Sequence, residues 1–314
     1  MKKAVGDLPA RPADAGFGRR LADDEKWLGR AMLAPAIAYI VALIGFPLFL
    51  ALFYSVSNVT VGSSGWPSFV GLANFRNAIG NPTFPRALWN TLVFALVSQF
   101  FVMILATILA ISLQREFRGK WVVRLMILLP WVAPISLGSI GWLWIFDSVY
   151  SVINWTGRAV GIFGKDTWPI WLGHPTLAMG SVITVHVWRL LPLATVILLG
   201  GLSGIPKDIH DAAQVDGAGV LRHHFQITVP LVRPIALVAL LFGTVYAFTD
   251  MIVIYVLTRG GPYETTQVLP TLAFFTGIDG GDLGGGAAIA LFLFPVLAAC
   301  AILILRFARQ AEVT

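Results

Sequence analysis

The chain has 314 residues, of which 57% are hydrophobic and only 12% carry a charge. A typical soluble domain has about 25% charged residues, so this composition excludes an ordinary water-soluble fold and indicates an integral membrane protein. The net charge of +6 does not indicate nucleic-acid binding, because the basic residues are spread over short segments between apolar runs. The single cysteine, Cys300, excludes an intramolecular disulfide and a cysteine metal cluster.

Six apolar runs are long enough to cross a bilayer, which takes about 20 helical residues. Four of them carry no charge: Ala31–Tyr54, Leu92–Leu113, Leu125–Phe146 and Leu283–Leu305. Two more carry one charge each: Leu177–Leu202 and Pro234–Leu257. The sequence therefore predicts an all-α, polytopic membrane protein with six transmembrane helices. Prolines within or at the ends of several runs predict kinked, closely packed helices.

The distribution of lysine and arginine predicts the topology of the chain. The alternate segments on the side of the amino terminus carry sixteen of these residues, and the segments on the opposite side carry five. The positive-inside rule then places both termini in the cytoplasm of a bacterial inner membrane. We expect a cytoplasmic tail over residues 1–30, a transmembrane domain over 31–308 and a second tail over 309–314. Since no small-residue cleavage site follows the first run, we interpret that run as a retained helix.

The segment 205–234, between the fourth and fifth runs, is too long for a simple turn and too regularly patterned for disorder. Helix-forming residues run from Lys207 to Val215, and Asp216 with Gly217 supplies turn chemistry. A second short helix is expected to reach about Gln226, ahead of two prolines. Apolar residues on a segment that faces water favour docking into a partner's groove, although a hairpin lying on the membrane surface explains the pattern equally well.

A spaced pattern runs through this segment: Asp211, Ala212, Ala213, Asp216, Gly217, Ala218, Pro230 and Pro234. It resembles the EAA loop of ABC importer permeases, with Asp211 in place of the usual glutamate. The resemblance implies a type I ABC importer permease fold in which this loop docks on an ATPase subunit. It also implies four partners: a second permease subunit, two cytoplasmic ATPase subunits and an external solute-binding protein. This chain would bind no cofactor, and ATP would be used by the partner subunits.

Three further stretches resemble the carbohydrate branch of these permeases. They are Phe69–Phe75 followed by Asn90 and Thr91, Trp188–Pro192, and Val256–Pro262. The resemblance implies that the transported solute is a sugar or a related polyol, and that the chain is not an enzyme.

Two charged residues lie within the predicted spans, Arg189 and Asp250. An unpaired charge in a membrane costs at least about 2.5–3.5 kcal/mol, so both are candidates for function. One interpretation is an ion pair between the fourth and fifth spans; the other is that Asp250 lines the solute pathway. Trp188, Tyr246 and Tyr255 are further pathway candidates because aromatic rings stack on sugar faces, although such residues more commonly pack against neighbouring helices.

The histidines do not indicate a metal site. We interpret His186 as a packed or hydrogen-bonded residue of the fourth span. His210, His223 and His224 lack a tight i, i+4 pair and nearby cysteines, so we expect them to be polar surface residues.

Two other classes of function compete with the importer subunit. An ion-coupled secondary transporter normally has more spans, internal repeats and several carboxylates in the membrane, whereas this sequence has one. A membrane-embedded enzyme needs a catalytic pattern, and we find no nucleophile elbow, HExxH pattern or carboxylate pair.

Overall fold

A computed structural model describes residues 25–164 and 167–312, most of which are helical. Most of the predicted tail 1–30, and the last two residues of the tail 309–314, lie outside the described residues. The described helices are α1 Glu25–Ile40, α2 Phe46–Ser55, α3 Ala73–Gly80, α4 Thr83–Gln114, α5 Lys120–Val132, α6 Ile135–Ile145, α7 Val152–Ala159, α8 Pro175–Ser203, α9 Lys207–Val215, α10 Val220–His223, α11 Val229–Thr249, α12 Ile252–Leu257, α13 Leu269–Phe274, α14 Leu283–Leu291 and α15 Leu293–Glu312.

Three short π-helical segments connect or extend these helices: Val41–Gly45, His224–Thr228 and Phe275–Asp279. The first joins α1 to α2, and the second joins α10 to α11. The described residues divide into two compact units at Phe53 and Tyr54. The first unit is an apolar helix whose large side chains are exposed, as a lipid-facing helix requires.

Five continuous helices are long and apolar enough to cross a membrane: Trp27–Ser55, Thr83–Gln114, Pro175–Ser203, Leu221–Thr249 and Leu283–Ala308. Four of them contain a predicted span over its whole length. The other two predicted spans differ from the structure: the third is a bent pair of helices, and the fifth helix has different bounds.

The third predicted span, Leu125–Phe146, is two helices instead of one. Helices α5 and α6 meet at an angle of 99°. Between them Ala133 is extended, with φ −64° and ψ 140°, because Pro134 disfavours a helical conformation in the residue that precedes it. The bend is much larger than the kink expected from the prolines. Counted as one bent segment, α5 and α6 complete the six membrane segments.

The fifth predicted span, Pro234–Leu257, lies closer to the amino terminus than the sequence indicates. The helix begins near Leu221, passes through Pro230 and Pro234, and ends at Thr249. The π-helical segment His224–Thr228 precedes α11 and changes the hydrogen-bonding pattern of the helix backbone there. Pro230 lies in the first turn of α11, where the missing N–H of proline is tolerated. The prediction of a separate helix ending at Gln226 was therefore wrong.

The core of the second unit lies between α4 and α8, with α11 packed against both and α15 packed against α11. Small side chains at this centre are fully buried, among them Ala87, Ala106, Ala110 and Ala178. Small residues allow helix backbones to approach closely, which is the main source of association energy within a bilayer. The core thus fixes α8 and α11 beside each other.

The segment between α2 and α3 forms a short hairpin, in which β1 Ser57–Asn58 pairs antiparallel with β2 Ser68–Phe69. The amide of Asn74 donates to the carbonyls of Ser55 at 3.0 Å and Ser57 at 2.9 Å. A Cβ at Gly284 would lie 2.6 Å from the Ser57 carbonyl oxygen, so only glycine allows α14 to pass this close. The glycine-rich stretch 280–286 therefore serves close packing.

Asn90 and Thr91, which belong to one of the stretches that resemble sugar permeases, contact the segment that follows another of them, Val256–Pro262. Asn90 donates from its amide to the carbonyls of Gln267 at 2.9 Å and Glu264 at 3.2 Å. The Thr91 hydroxyl accepts the Leu269 N–H at 2.9 Å. Asn90 and Thr91 of α4 therefore hold the loop 258–268 that follows α12.

Candidate functional site

The first half of the 205–234 segment forms as predicted: α9 spans Lys207–Val215. It ends in a left-handed turn at Gly217, with φ +71°. The Gly217 N–H donates to Gln214 O at 3.0 Å, and the Ala218 N–H donates to Ala213 O at 2.9 Å. This is a Schellman arrangement, which glycine adopts without steric cost. The turn sets the direction in which the chain leaves α9.

The EAA-like residues of α9 point in different directions. Asp211 and Ala212 are exposed, whereas Ala213 is only 6% exposed and packs inward. Asp216 and Gly217 are exposed at the turn. Ala218 and Pro234 are half-buried, and Pro230 is exposed on the first turn of α11. The alanine pair therefore has two roles, one in packing and one at the surface.

Three large apolar side chains on α9 and on the helical segment after the Gly217 turn are exposed. Val215 is 87% exposed, Leu221 is 73% exposed and Phe225 is 64% exposed. We call the set Asp211, Ala212, Val215, Leu221 and Phe225 the docking face. Exposed apolar side chains on a segment that also carries an exposed carboxylate and a small residue are suited to a protein groove more than to water.

A second group of polar residues is buried where α8 passes the end of α11. Asp250 ends α11 with an extended backbone, at φ −70° and ψ 111°, and its Oδ1 accepts the Val253 N–H at 3.2 Å. Its Oδ2 lies 2.6 Å from His186 Nδ1 and 3.6 Å from Arg189 Nη1. The Asp250 side chain is 1% exposed and that of His186 is 0% exposed. We call His186, Arg189 and Asp250 the buried charge cluster.

The cluster contains the predicted contact between Arg189 and Asp250 and one that the sequence did not indicate. His186 and Arg189 are three residues apart and therefore share a face of α8. His186 is hydrogen-bonded and packed, as interpreted from the sequence, and its ring lies edge-on to Phe94 at 4.8 Å. The partner of that hydrogen bond is Asp250, so the carboxylate is held between two basic side chains.

The aromatic pathway candidates are divided between different surroundings. The Arg189 guanidinium lies 5.9 Å from the centre of the Tyr246 ring, so Tyr246 adjoins the cluster. Trp188 packs edge-on to Trp142 at 5.6 Å. Tyr255 contacts Phe274 and Phe275, and its hydroxyl accepts from Arg259 at 3.2 Å. By its contacts Tyr255 is attached to Arg259 and to the two phenylalanines rather than to the cluster.

Two of the histidines predicted to be polar surface residues are in contact. His210 Nδ1 lies 2.8 Å from His223 Nε2, and both residues are half-buried. The sequence did not indicate this pair, because the two residues are thirteen positions apart and not at an i, i+4 spacing. The Gly217 turn brings them together. Within residues 25–164 and 167–312, no group of three histidine, cysteine, aspartate or glutamate side chains is arranged to hold a metal ion.

Known proteins resemble this chain over nearly its whole length. The sulfoquinovosyl glycerol transport system permease protein SmoG of Agrobacterium fabrum is 30% identical, with 92% of each chain covered. The trehalose/maltose transport system permease protein MalF of Thermococcus litoralis is also 30% identical, covering 94% of this chain and 98% of its own.

Among solved structures, a bacterial ABC transporter involved in the import of the acidic polysaccharide alginate has the same fold. It superposes with a TM-score of 0.77 at 21% identity, covering 93% of this chain and 99% of its own. Residues 102–311 match the family described as binding-protein-dependent transport system inner membrane component. The chain therefore belongs to this family of inner-membrane permease components.

Proposed function

We propose that this chain is one permease subunit of an ATP-driven, binding-protein-dependent importer that works by alternating access. It pairs with a second permease subunit, and an external binding protein delivers the solute. Two cytoplasmic ATPase subunits bind and hydrolyse ATP. The observation that carries this proposal is the docking face of α9, an apolar surface with no cover from the described residues of this chain.

The chemistry of the docking face fits an ATPase cleft. Ala212 has a small, exposed side chain, so a partner backbone can approach it closely, and Val215 and Leu221 are exposed and offer apolar area. Asp211 supplies a carboxylate that a basic group or a helix N-terminus of the partner can pair with. Ala213 is buried, so one side of α9 is covered by the rest of the chain, and the 205–234 segment continues into α11.

We infer that the solute is a sugar or a related polyol. Two relatives similar over their whole length are permease proteins for sulfoquinovosyl glycerol and for trehalose and maltose. Arg189, Trp188 and Tyr246 are half-buried, so part of each side chain is accessible from a pathway beside α8. A guanidinium and aromatic rings are the groups that bind hydroxyls and stack on sugar faces.

Within this pathway Asp250 serves as a positioning residue. Its side chain is 1% exposed and is occupied by His186, Arg189 and the Val253 N–H, so it offers no free surface to a solute. The carboxylate orients Arg189, which is 21% exposed. Tyr255 contacts Arg259 and two phenylalanines, and it lies apart from this group.

The charge distribution supports an orientation with both termini and the docking face in the cytoplasm. Sixteen lysine and arginine residues lie on that side and five on the other. The loop 258–268 then faces the outside, where the binding protein delivers solute.

Co-purification tests the assignment. The tagged chain, expressed with the other proteins of its gene cluster, should retain ATPase subunits and solute-stimulated ATP hydrolysis. Asp211→Ala combined with Gly217→Val should lower the ATPase subunits recovered about tenfold while leaving the chain in the membrane. Asp147→Ala, in a predicted outer segment, is the matched control. Recovery of ATPase subunits at the wild-type level with the double variant would contradict the role of the docking face.

A further inference from the structure

The imidazoles of His210 and His223 meet where the 205–234 segment joins the fifth membrane helix. His210 belongs to α9 and lies beside Asp211 of the docking face. His223 ends α10, which continues through the π-helical segment into α11. The contact at 2.8 Å between His210 Nδ1 and His223 Nε2 therefore ties the docking helix to the helix that ends at Asp250.

This contact constrains protonation. At 2.8 Å one of the two nitrogens must donate a hydrogen bond and the other must accept it. This hydrogen bond can form when both rings are neutral, and also when one ring carries an additional proton and the other is neutral. With one extra proton the hydrogen bond is charge-assisted and strengthens. When both rings carry an additional proton, both contacting nitrogens are donors, so the hydrogen bond has no acceptor. The two rings are then also positively charged at contact distance and repel each other. The pair must then separate.

The groups around the pair do not compensate a second charge. The groove at this contact is lined from other elements by Gln114 of α4, by Arg115 directly after it, and by His224 and Thr228. Gln214 lines it from α9. Arg115 is permanently positive and His224 is titratable. Among the described residues that line the groove there is no carboxylate. On the pair's own elements, Asp211 is exposed at the docking face, and Arg222 donates to Gln226.

We propose that His210 and His223 form a proton-binding site that couples the cytoplasmic pH to force transmission through the 205–234 segment. Around neutral pH the pair is intact and α9 moves with α11. Acidification of the cytoplasm adds the second proton, separates the rings and loosens α9 from α11. Imidazole is the side chain whose charge changes most readily near neutral pH. This inference rests on the proposed orientation and on the proposed docking of α9.

Amide hydrogen exchange of the full chain in nanodiscs tests the site without partner subunits. In the wild type, protection over residues 208–225, corrected for intrinsic rates, should fall about fivefold between pH 8 and pH 5.5, as expected for the loss of one net hydrogen bond. The double variant His210→Asn and His223→Gln places amides at the positions of the two contacting nitrogens. These amides can hydrogen-bond but take up no proton, so its protection should change less than twofold.

The second measurement uses the complex with its ATPase subunits. Import per ATP hydrolysed should fall on acidification in the wild type and stay constant in the double variant. His224→Gln is the matched control, because His224 lines the same groove outside the pair, and it should behave as the wild type. Protection that is unchanged in the wild type, or that falls equally in the double variant, overturns the proposal. Failure of the ATPases to co-purify instead contradicts the proposed function and leaves the exchange result valid.

Discussion

His186 and Asp250 are joined by a 2.6 Å hydrogen bond between side chains that are 0% and 1% exposed. The two residues lie on different helices, α8 and the end of α11, and 64 positions apart in the chain. A charge-assisted hydrogen bond buried in a membrane core is expensive to break on one side only, because the remaining group is left without a partner.

Asp250→Asn should therefore destabilise the chain. The amide keeps an acceptor for the Val253 N–H but removes the negative charge between His186 and Arg189. We expect a loss of about 3 kcal/mol, the lower end of the range for a broken buried pair. Thermal unfolding of the detergent-solubilised protein measures this loss. Thr249→Ser, at the adjacent exposed position, should leave the midpoint unchanged. If the Asp250→Asn protein unfolds at the same temperature as the wild type and transports solute at the same rate, Asp250 has neither the structural nor the positioning role.

Exchanging Arg189 and Asp250 should fail to restore stability. A pair consisting of only these two residues would be rescued by the swap. Here the swap places a guanidinium against His186, which is the nearer partner of the carboxylate. The yield of monodisperse protein on size exclusion should therefore stay at or below that of the single variants. Recovery to the wild-type yield would show that the contact with His186 contributes little.

Gly217→Ala and Gly219→Ala form a matched pair in the 205–234 segment. Neither position has an atom within 4 Å of an added Cβ, but only Gly217 has a positive φ, at +71°. Alanine in that conformation costs about 1–2 kcal/mol. We expect Gly217→Ala to reduce solute-stimulated ATP hydrolysis by the complex several-fold and Gly219→Ala to leave it unchanged. Gly217→Asn, which tolerates this conformation better, should recover most of the activity; equal effects at 217 and 219 would exclude the turn as the cause.

Gly260→Ala should disturb the loop 258–268 more than the same change at Gly62. Both glycines have positive φ, +86° and +82°, so the backbone strain is similar. A Cβ at Gly260 would overlap the Gln267 side chain, whereas one at Gly62 would meet nothing within 4 Å. Gln267 is the residue whose carbonyl is held by Asn90. Limited proteolysis of right-side-out vesicles should cleave the Gly260→Ala loop faster, and equal cleavage of both variants would contradict this account.

Single-cysteine labelling tests the orientation. In a Cys300→Ala background, Tyr263→Cys lies on the loop proposed to face outside, where Tyr263 is 81% exposed. Lys207→Cys lies at the exposed start of α9. A membrane-impermeant maleimide added to intact cells should label the first and not the second, and permeabilised cells should label both. The reverse pattern would invert the proposed topology.

Local signals in the sequence predicted the local structure well. Helix α9 has the predicted bounds because its limits depend on nearby residues: Pro206 before it and Gly217 after it. Four membrane helices followed from apolar length alone. The bounds of the fifth helix did not, since the helix continues through a π-helical segment that precedes Pro230 and that composition does not reveal.

Contacts between distant elements were predicted less completely. Arg189 and Asp250 were paired because they are the charged residues of two spans, and charges in a bilayer need partners. His186 need not be charged, so the same reasoning does not predict its contact with Asp250. The contact of His210 with His223 depends on the direction of the chain after Gly217, which spacing alone does not define. The 99° bend at Ala133 and Pro134 exceeds what a proline in a helix predicts.

One continuous helix runs from Leu221 to Thr249, through the π-helical segment His224–Thr228 and past Pro230 and Pro234. At 1.5 Å per residue its 29 residues measure about 43 Å. One end adjoins the docking face, and the other ends at the carboxylate that holds His186 and Arg189. A rotation of about 10° at the first end displaces the other by about 7 Å if the helix stays straight. A movement of the docking face can therefore reach the buried charge cluster through one continuous helix.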